Sequence, residues 1–252
     1  MRFVLILFFI TLPILGGSAL ADTTSEFPEA FSNGFEEEFA TEEHEEFDPL
    51  SGYNRTMTGF NDFFFTSILF PVSRVYEGAI PEEGRKALSR FYANLKFPVR
   101  FANNVLQLKV KHSAEELSRF VVNTTLGIGG LFDPASTWLG LKPHNEDFGQ
   151  TLGHYGVGGG FHVVLPILGP SNLRDSVALV PDWYLDPANY ISERAHNLLR
   201  DGNEAYILQT VGKLNESSLH YKEYESLKKD AVDLYPFLKN IYEQSRQKAI
   251  EE

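Results

Sequence analysis

Apolar side chains in this chain recur mostly at helical spacing, and prolines and glycines cut the pattern into segments. From Asn61 to Phe70 they project around nearly the whole helical circumference, interrupted only by Asn61, Asp62, Thr66 and Ser67. A helix apolar on all sides is buried in protein or in lipid. Pro71 is expected to end it, because proline lacks an N–H and its ring clashes with the preceding turn. Phe63, Phe64 and Phe65 suit either core packing or lipid contact. Leu88, Phe91, Tyr92 and Leu95 fall at i, i+3, i+4 and i+7, which predicts a second helix broken by Pro98. Ser113 and Glu116 have capping-box spacing ahead of Leu117, Phe120 and Val121, so a helix is expected to open at Ser113. Others are predicted from Ser192 to Arg200, stopping at Gly202, and around Phe237, Leu238, Ile241 and Tyr242. Strand signals are thin: Phe161–Leu165 could extend briefly, but no set of alternating runs supports a sheet. The fold class is all-α.

Between these helices lies a segment of another kind. Asp147 to Asp175 packs seven glycines and two prolines among apolar and aromatic residues. Gly153, Gly156, Gly158, Gly159 and Gly160 free the backbone for positive φ and close approach. Pro166 and Pro170 stiffen the stretch around Ile167-Leu168-Gly169. Such a segment is held from outside and reads as a shaped wall or lip. A phosphate loop is the rival reading, but Phe161 stands where the third glycine of G-x-G-x-x-G belongs, and no Gly-Lys-Ser/Thr follows.

Composition changes the picture at the N-terminus. Residues 1–21 look like a secretory signal: Arg2, an apolar stretch from Phe3 to Leu15, then Ala19-Leu20-Ala21 before Asp22. A retained anchor is the alternative, although the stretch is short for a span of about 20 residues. Residues 22–48 hold eleven acidic side chains and no Lys or Arg. Setting these and Arg2 aside leaves 23 acidic against 21 basic residues, so the formal charge of −12 belongs to a leader, 22–47, and the 48–252 domain is near neutral. Phe27, Phe31, Phe35 and Phe39 recur every four residues within the leader. It is expected either to stay disordered or to fold against a partner or membrane edge. No basic patch suggests a nucleic-acid partner.

Candidate chemistry is sparse. The 252 residues contain no cysteine, which excludes disulfides, thiolate nucleophiles and cysteine-bound metals within them. The seven histidines are dispersed, with neither H-x-x-x-H nor H-E-x-x-H spacing, so no metal or cofactor is expected. No G-x-S-x-G elbow supports a serine esterase. His154 and His162 read as structural, and Arg174-Asp175 as a local ion pair fixing the end of the glycine-rich segment.

Ordered motifs over roughly residues 48–245 carry a resemblance. Asp48-Pro49-Leu50-Ser51-Gly52-Tyr53-Asn54-Arg55 is followed by Phe60-Asn61, then by Asn94-Leu95 with Pro98, and by Asn104 with Leu106-Gln107. Arg119-Phe120, Asn123-Thr124-Thr125-Leu126-Gly127 and Gly129-Gly130-Leu131-Phe132-Asp133-Pro134-Ala135 continue the series, and Leu165-Pro166, Leu168-Gly169-Pro170 and Arg174-Asp175 close it. This series resembles the MlaA/VacJ family of outer-membrane phospholipid-transport components. The resemblance implies helices closed into a ring around an amphipathic pore, and a non-enzymatic protein at the periplasmic side of the outer membrane. It implies removal of phospholipids from the outer leaflet, delivery to a periplasmic carrier protein, and association with a trimeric porin. Phe60, Asn61, Phe64, Gly127, Gly129, Gly130, Gly153, Gly156, Gly158 and Gly159 are the residues expected along the lipid passage. Asp48, Asn54, Arg55, Arg174 and Asp175 are expected to hold the motif together. The family usually carries a lipid-modified cysteine just after the signal, where this chain has Ala21-Asp22. Membrane association is therefore expected to come from the folded body or from protein partners. A lipid-acting hydrolase and a structural envelope protein are the alternatives from other classes.

Overall fold

A computed structural model describes residues 48–189 and 204–252. The expected signal, the acidic leader and the Ser192–Arg200 helix lie outside the described residues. Within them the chain is helical: α1 (Ser51–Phe64), α2 (Phe70–Ala79), α3 (Glu82–Leu95), α4 (Phe97–Leu106) and α5 (Val110–Thr125) follow in order. The short helices α6 (Pro134–Leu139) and α7 (Phe148–His154) precede a hairpin of β1 (His162–Leu165) and β2 (Gly169–Asn172). Then come α8 (Leu173–Leu185), the long α9 (Glu204–Asp230) and α10 (Leu234–Glu251).

Pro71 does not end the first helix. Phe65–Leu69 forms a π turn between α1 and α2, and the Phe70 N–H bonds to the Phe65 carbonyl five residues back. The wider turn gives the proline ring room where an α-helical carbonyl would clash, so the helix runs on to Ala79. Pro98 does separate two helices, with α3 ending at Leu95 and α4 restarting with the proline in its first turn. The helix expected to open at Ser113 instead begins at Val110. The Ser113 hydroxyl donates to the Lys109 carbonyl at 3.0 Å, and Glu116 turns inward instead of capping. The capping box lies elsewhere, where Asp147 and Gln150 exchange bonds at the start of α7.

The expected extended stretch at Phe161–Leu165 becomes β1, paired antiparallel to β2 with His162 opposite Asn172 and Leu165 opposite Gly169. Sequence pattern missed β2, because Gly169-Pro170-Ser171-Asn172 has no strand propensity. Its backbone pairs because two asparagines of α1 brace the neighbouring strand. Asn54 donates to the His162 carbonyl at 3.1 Å and accepts from the Val164 N–H at 2.8 Å. Two helical turns on, Asn61 donates to the Leu165 carbonyl at 2.9 Å and accepts from the Ile167 N–H at 2.6 Å.

Among the described residues the apolar core cluster is small. Phe65, Phe70 and Tyr221 form it, with Phe64, Leu69, Ile167 and Tyr224 packed around them. It sits where α9 crosses the π turn and α2. Phe63, Phe64 and Phe65 thus divide their duties: Phe65 is buried, Phe64 half-buried, and Phe63 is 61% exposed.

Candidate functional site

The largest fully buried side chains include Glu116, Asn54, Asn103, Asn104 and Asn215, whereas large apolar side chains cover much of the outside. Helix α5 shows the inversion most simply. Ser113, Glu116, Arg119 and Asn123 form its buried face, while Val110, Leu117 and Val121 are exposed. In the first helix Asn54, Thr58 and Asn61 face inward, and Tyr53, Phe60, Phe63, Ile68, Val72 and Val75 face outward. Water alone would select the opposite arrangement, since exposing apolar surface costs about 25 cal/mol per Å². Among the described residues, no helix is long and apolar enough to cross a membrane.

Most of the buried polar groups are bonded, as burial demands, although Asn104 Oδ1, Gln107 Oε1 and Arg85 Nε have no partner among the described residues. The Glu116 carboxylate is fully enclosed; it accepts from Arg100 Nε at 2.8 Å and from the His144 N–H at 2.7 Å. Asn103 donates to Asp182 at 3.0 Å and accepts from the Thr151 hydroxyl at 2.8 Å. Asn123 donates to Asp133 at 2.9 Å and accepts from the Ala135 N–H at 3.0 Å. Arg119 binds the other Asp133 oxygen at 2.9 Å. Burial, then the nearby Asp147 charge, pushes the Asp182 carboxyl up to about 7, although Phe148 and Asn103 donate to it.

The motif residues lie around the hairpin and α10. Asp48 accepts from Asn54 at 3.2 Å and from the Tyr235 hydroxyl, joining the chain's first described residue to α10. Arg55 pairs with Asp233 at 2.5 Å in the open and lies over the Tyr235 ring. Arg174 Nε binds Asp175 at 2.8 Å, the local pair anticipated from sequence. Around it stands a larger group: Arg246 of α10 donates to Asp175 at 2.8 Å, and the Tyr242 hydroxyl donates to Asp175 at 2.5 Å. Burial opposes the Asp175 charge, yet these partners keep its pKa below the usual carboxylate value. His162 is buried, with Nδ1 3.1 Å from Glu243, while His154 is exposed.

The residues expected along a lipid passage fall into two sets. Asn61 is buried with both amide atoms engaged, and Phe64 packs on the core. A Cβ on Gly127 would meet the Phe132 and Asn123 carbonyls at 2.4 and 2.5 Å. On Gly130 it would meet Asn94 at 2.4 Å, and on Gly153 Ile250 at 2.6 Å; Gly159 lies against Asn172. These glycines permit close packing of protein on protein. Phe60, Gly129, Gly156 and Gly158 face open space instead. Gly156 has φ +82°, a conformation that favours glycine, whereas Gly158 has no positive φ and a Cβ there would meet nothing within 4 Å. Leu108 and Ile128 are exposed at loop tips with φ of 60° and 53°. Each costs about 1–2 kcal/mol in that region, so their outward apolar placement is held by surrounding structure.

Sequence reasoning missed Arg246, Glu116, Asn103 and Asp182. For α5 a signal existed: polar residues at 113, 116, 119 and 123 repeat at the helical period opposite the apolar stripe. Nothing in the linear pattern marks Arg246, whose partners lie about 70 and 100 positions away.

A helical protein with a largely bonded polar interior and large apolar side chains outside belongs to the class that meets a membrane or a partner protein. Residues 46–249 match the family model described as MlaA lipoprotein, and the chain belongs to the MlaA family. It is 35% identical over 183 residues to the intermembrane phospholipid transport system lipoprotein MlaA of Escherichia coli (strain K12), covering 69% of this chain and 72% of that protein. An uncharacterized protein of Rickettsia bellii is 31% identical over 210 residues, covering 82% and 78%. A solved structure described as the structural basis for maintenance of bacterial outer membrane lipid asymmetry matches with TM-score 0.69 and 29% identity. The match covers 81% of this chain and all of that one.

Proposed function

We propose that this protein moves phospholipids between the membranes of a Gram-negative envelope, taking misplaced phospholipids from the outer leaflet of the outer membrane. The observation that carries this reading is the inverted burial of α5, where Glu116 and Arg119 lie inside and Leu117 and Val121 outside. Family membership supports the substrate class, since the E. coli relative is named for intermembrane phospholipid transport.

The physical problem suits such a body. Exposing acyl chains to water costs about 0.8 kcal/mol per methylene, on the order of 20 kcal/mol for a two-chain lipid. The headgroup meets the opposite penalty in hydrocarbon. A catalyst of transfer needs a passage with apolar walls and polar groups side by side. In this reading the helices close around such a passage, and the open backbone at Gly129, Gly156 and Gly158 contributes to its edge. Irregular backbone at membrane depth is tolerated where it lines a water-filled cavity. The outward Phe60, Phe63, Val72 and Val75 hold the body in the bilayer, a trimeric porin supports it laterally, and a soluble periplasmic protein receives the lipid.

The test is deletion of the gene followed by measurement of phospholipid reachable by an impermeant amine reagent at the cell surface. Deletion raises that signal and the wild-type chain restores it. An unchanged signal on deletion would overturn the reading. Fatty-acid release by the purified protein would favour a hydrolase instead.

A further inference from the structure

Where α3, the end of α5 and the start of α6 meet, the surface holds a depression of about 380 Å³. Its walls are unlike one another. Leu126, Phe132 and Trp138 form an apolar side, and Trp138 is 70% exposed despite its size. Arg90 lines the same depression, exposed and without a hydrogen bond or ion pair among the described residues. Asp133 also lines the depression, but its two oxygens are occupied by Asn123, Arg119 and the Ser136 N–H. Among the described residues, the unpaired charge lining the depression is therefore that of Arg90.

The volume lies within the range of about 300–1,000 Å³ found for small-molecule sites. A guanidinium binds phosphate through paired N–H donors, so its chemistry selects an oxyanion. The apolar lining selects hydrocarbon, and Trp suits the boundary between the two because one end of its ring system is polar. A soluble phosphate would leave the apolar wall wet, and a neutral diacylglycerol would leave Arg90 unmatched. We propose that this depression is a binding subsite for one phospholipid, with Arg90 on the phosphodiester and Leu126, Phe132 and Trp138 against the chain segments nearest the glycerol. The inference rests on the phospholipid-transport reading and adds a place where the lipid pauses.

The two tryptophans, Trp138 and Trp183, make the site testable. The full-length protein carrying Trp183→Phe keeps Trp138 as sole reporter, and detergent-solubilised samples are titrated with phospholipid brominated near the glycerol end of its chains. Saturable quenching is expected, with Arg90→Gln raising the half-saturating concentration about tenfold. Brominated diacylglycerol should quench weakly and to the same degree with or without Arg90, and inorganic phosphate alone should leave the emission unchanged. Equal, non-saturating quenching by both lipids, indifferent to Arg90→Gln, would mean that Trp138 merely dips into apolar surroundings, and would overturn the subsite. Surface phospholipid is scored in cells with the same variants. Absent Trp138 quenching in a protein that still restores the deletion strain removes the subsite and leaves the transport reading standing. Saturable, Arg90-dependent quenching in a chain whose deletion changes no surface phospholipid keeps the subsite and removes the transport reading.

Discussion

Arg246 donates through its two Nη atoms to the two carboxylate oxygens of Asp147, at 2.6 and 2.5 Å. The same guanidinium reaches Asp175 through Nε at 2.8 Å. Asp147 and Asp175 are the two ends of the glycine-rich segment, so one side chain from the last helix fixes both. A segment rich in glycine pays heavily in backbone entropy when ordered, and a bidentate pair at its ends limits that freedom.

Arg246→Ala should therefore loosen the whole segment. Removing one partner of a buried pair costs about 3–5 kcal/mol, and the half-exposed Asp147 argues for the lower end. Chemical denaturation in detergent should show the loss, and protease cleavage between Asp147 and Asp175 should accelerate. A variant as stable as wild type would show that Arg174, Tyr242 and Asn172 hold Asp175 without Arg246.

The two asparagines of α1 act on one hairpin and should couple. Asn54→Ala and Asn61→Ala each leave a backbone N–H and a carbonyl unpaired, at about 1–3 kcal/mol for each variant. Once either brace is lost the hairpin can shift, so the double variant should cost less than the sum. A double-mutant cycle by denaturation measures this, and strict additivity would mean that the two braces act independently.

The glycines separate packing from function. Gly127→Ala places a methyl 2.4 Å from a backbone carbonyl that cannot move away cheaply, so it should destabilise by about 1–3 kcal/mol. Gly158→Ala should be silent, because space is open and φ is ordinary. Gly158→Leu should fold normally and lose lipid transport if this edge lines the route. Normal surface phospholipid in a Leu variant at matched protein level would remove Gly158 from the passage.

Stability should depend on pH through Asp182. Its pKa is raised to about 7, chiefly by burial, so the protonated carboxyl is favoured in the fold. A raised folded value means stability that is present below the ordinary value of 3.8 and lost as pH rises to about 7. Relative to Asp182→Asn, the wild type should lose on the order of 2 kcal/mol between pH 5 and pH 8. Denaturation curves for both proteins at these pH values provide the comparison, and parallel pH profiles would place the Asp182 carboxylate in a better-solvated site.

Sequence determined the helical class, because a 3.6-residue period and proline breaks at positions such as Pro98 are local properties. It also determined the family, through ordered motifs running from Asp48-Pro49-Leu50 to Arg174-Asp175, and the Arg174–Asp175 pair, whose members are adjacent. The tertiary structure alone decided that Pro71 continues a helix, because the π turn before it relieves the clash. It decided that Glu116 is a buried ion instead of a cap, because Arg100 approaches from another helix to neutralise it. It decided that Gly127 and Gly153 are packing glycines while Gly158 faces space, a distinction set entirely by what stands opposite each Cα. Hydrogen bonds and close contacts between distant segments leave no period in the chain, so Arg246 could be read only once α10 lay across the ends of the segment it holds.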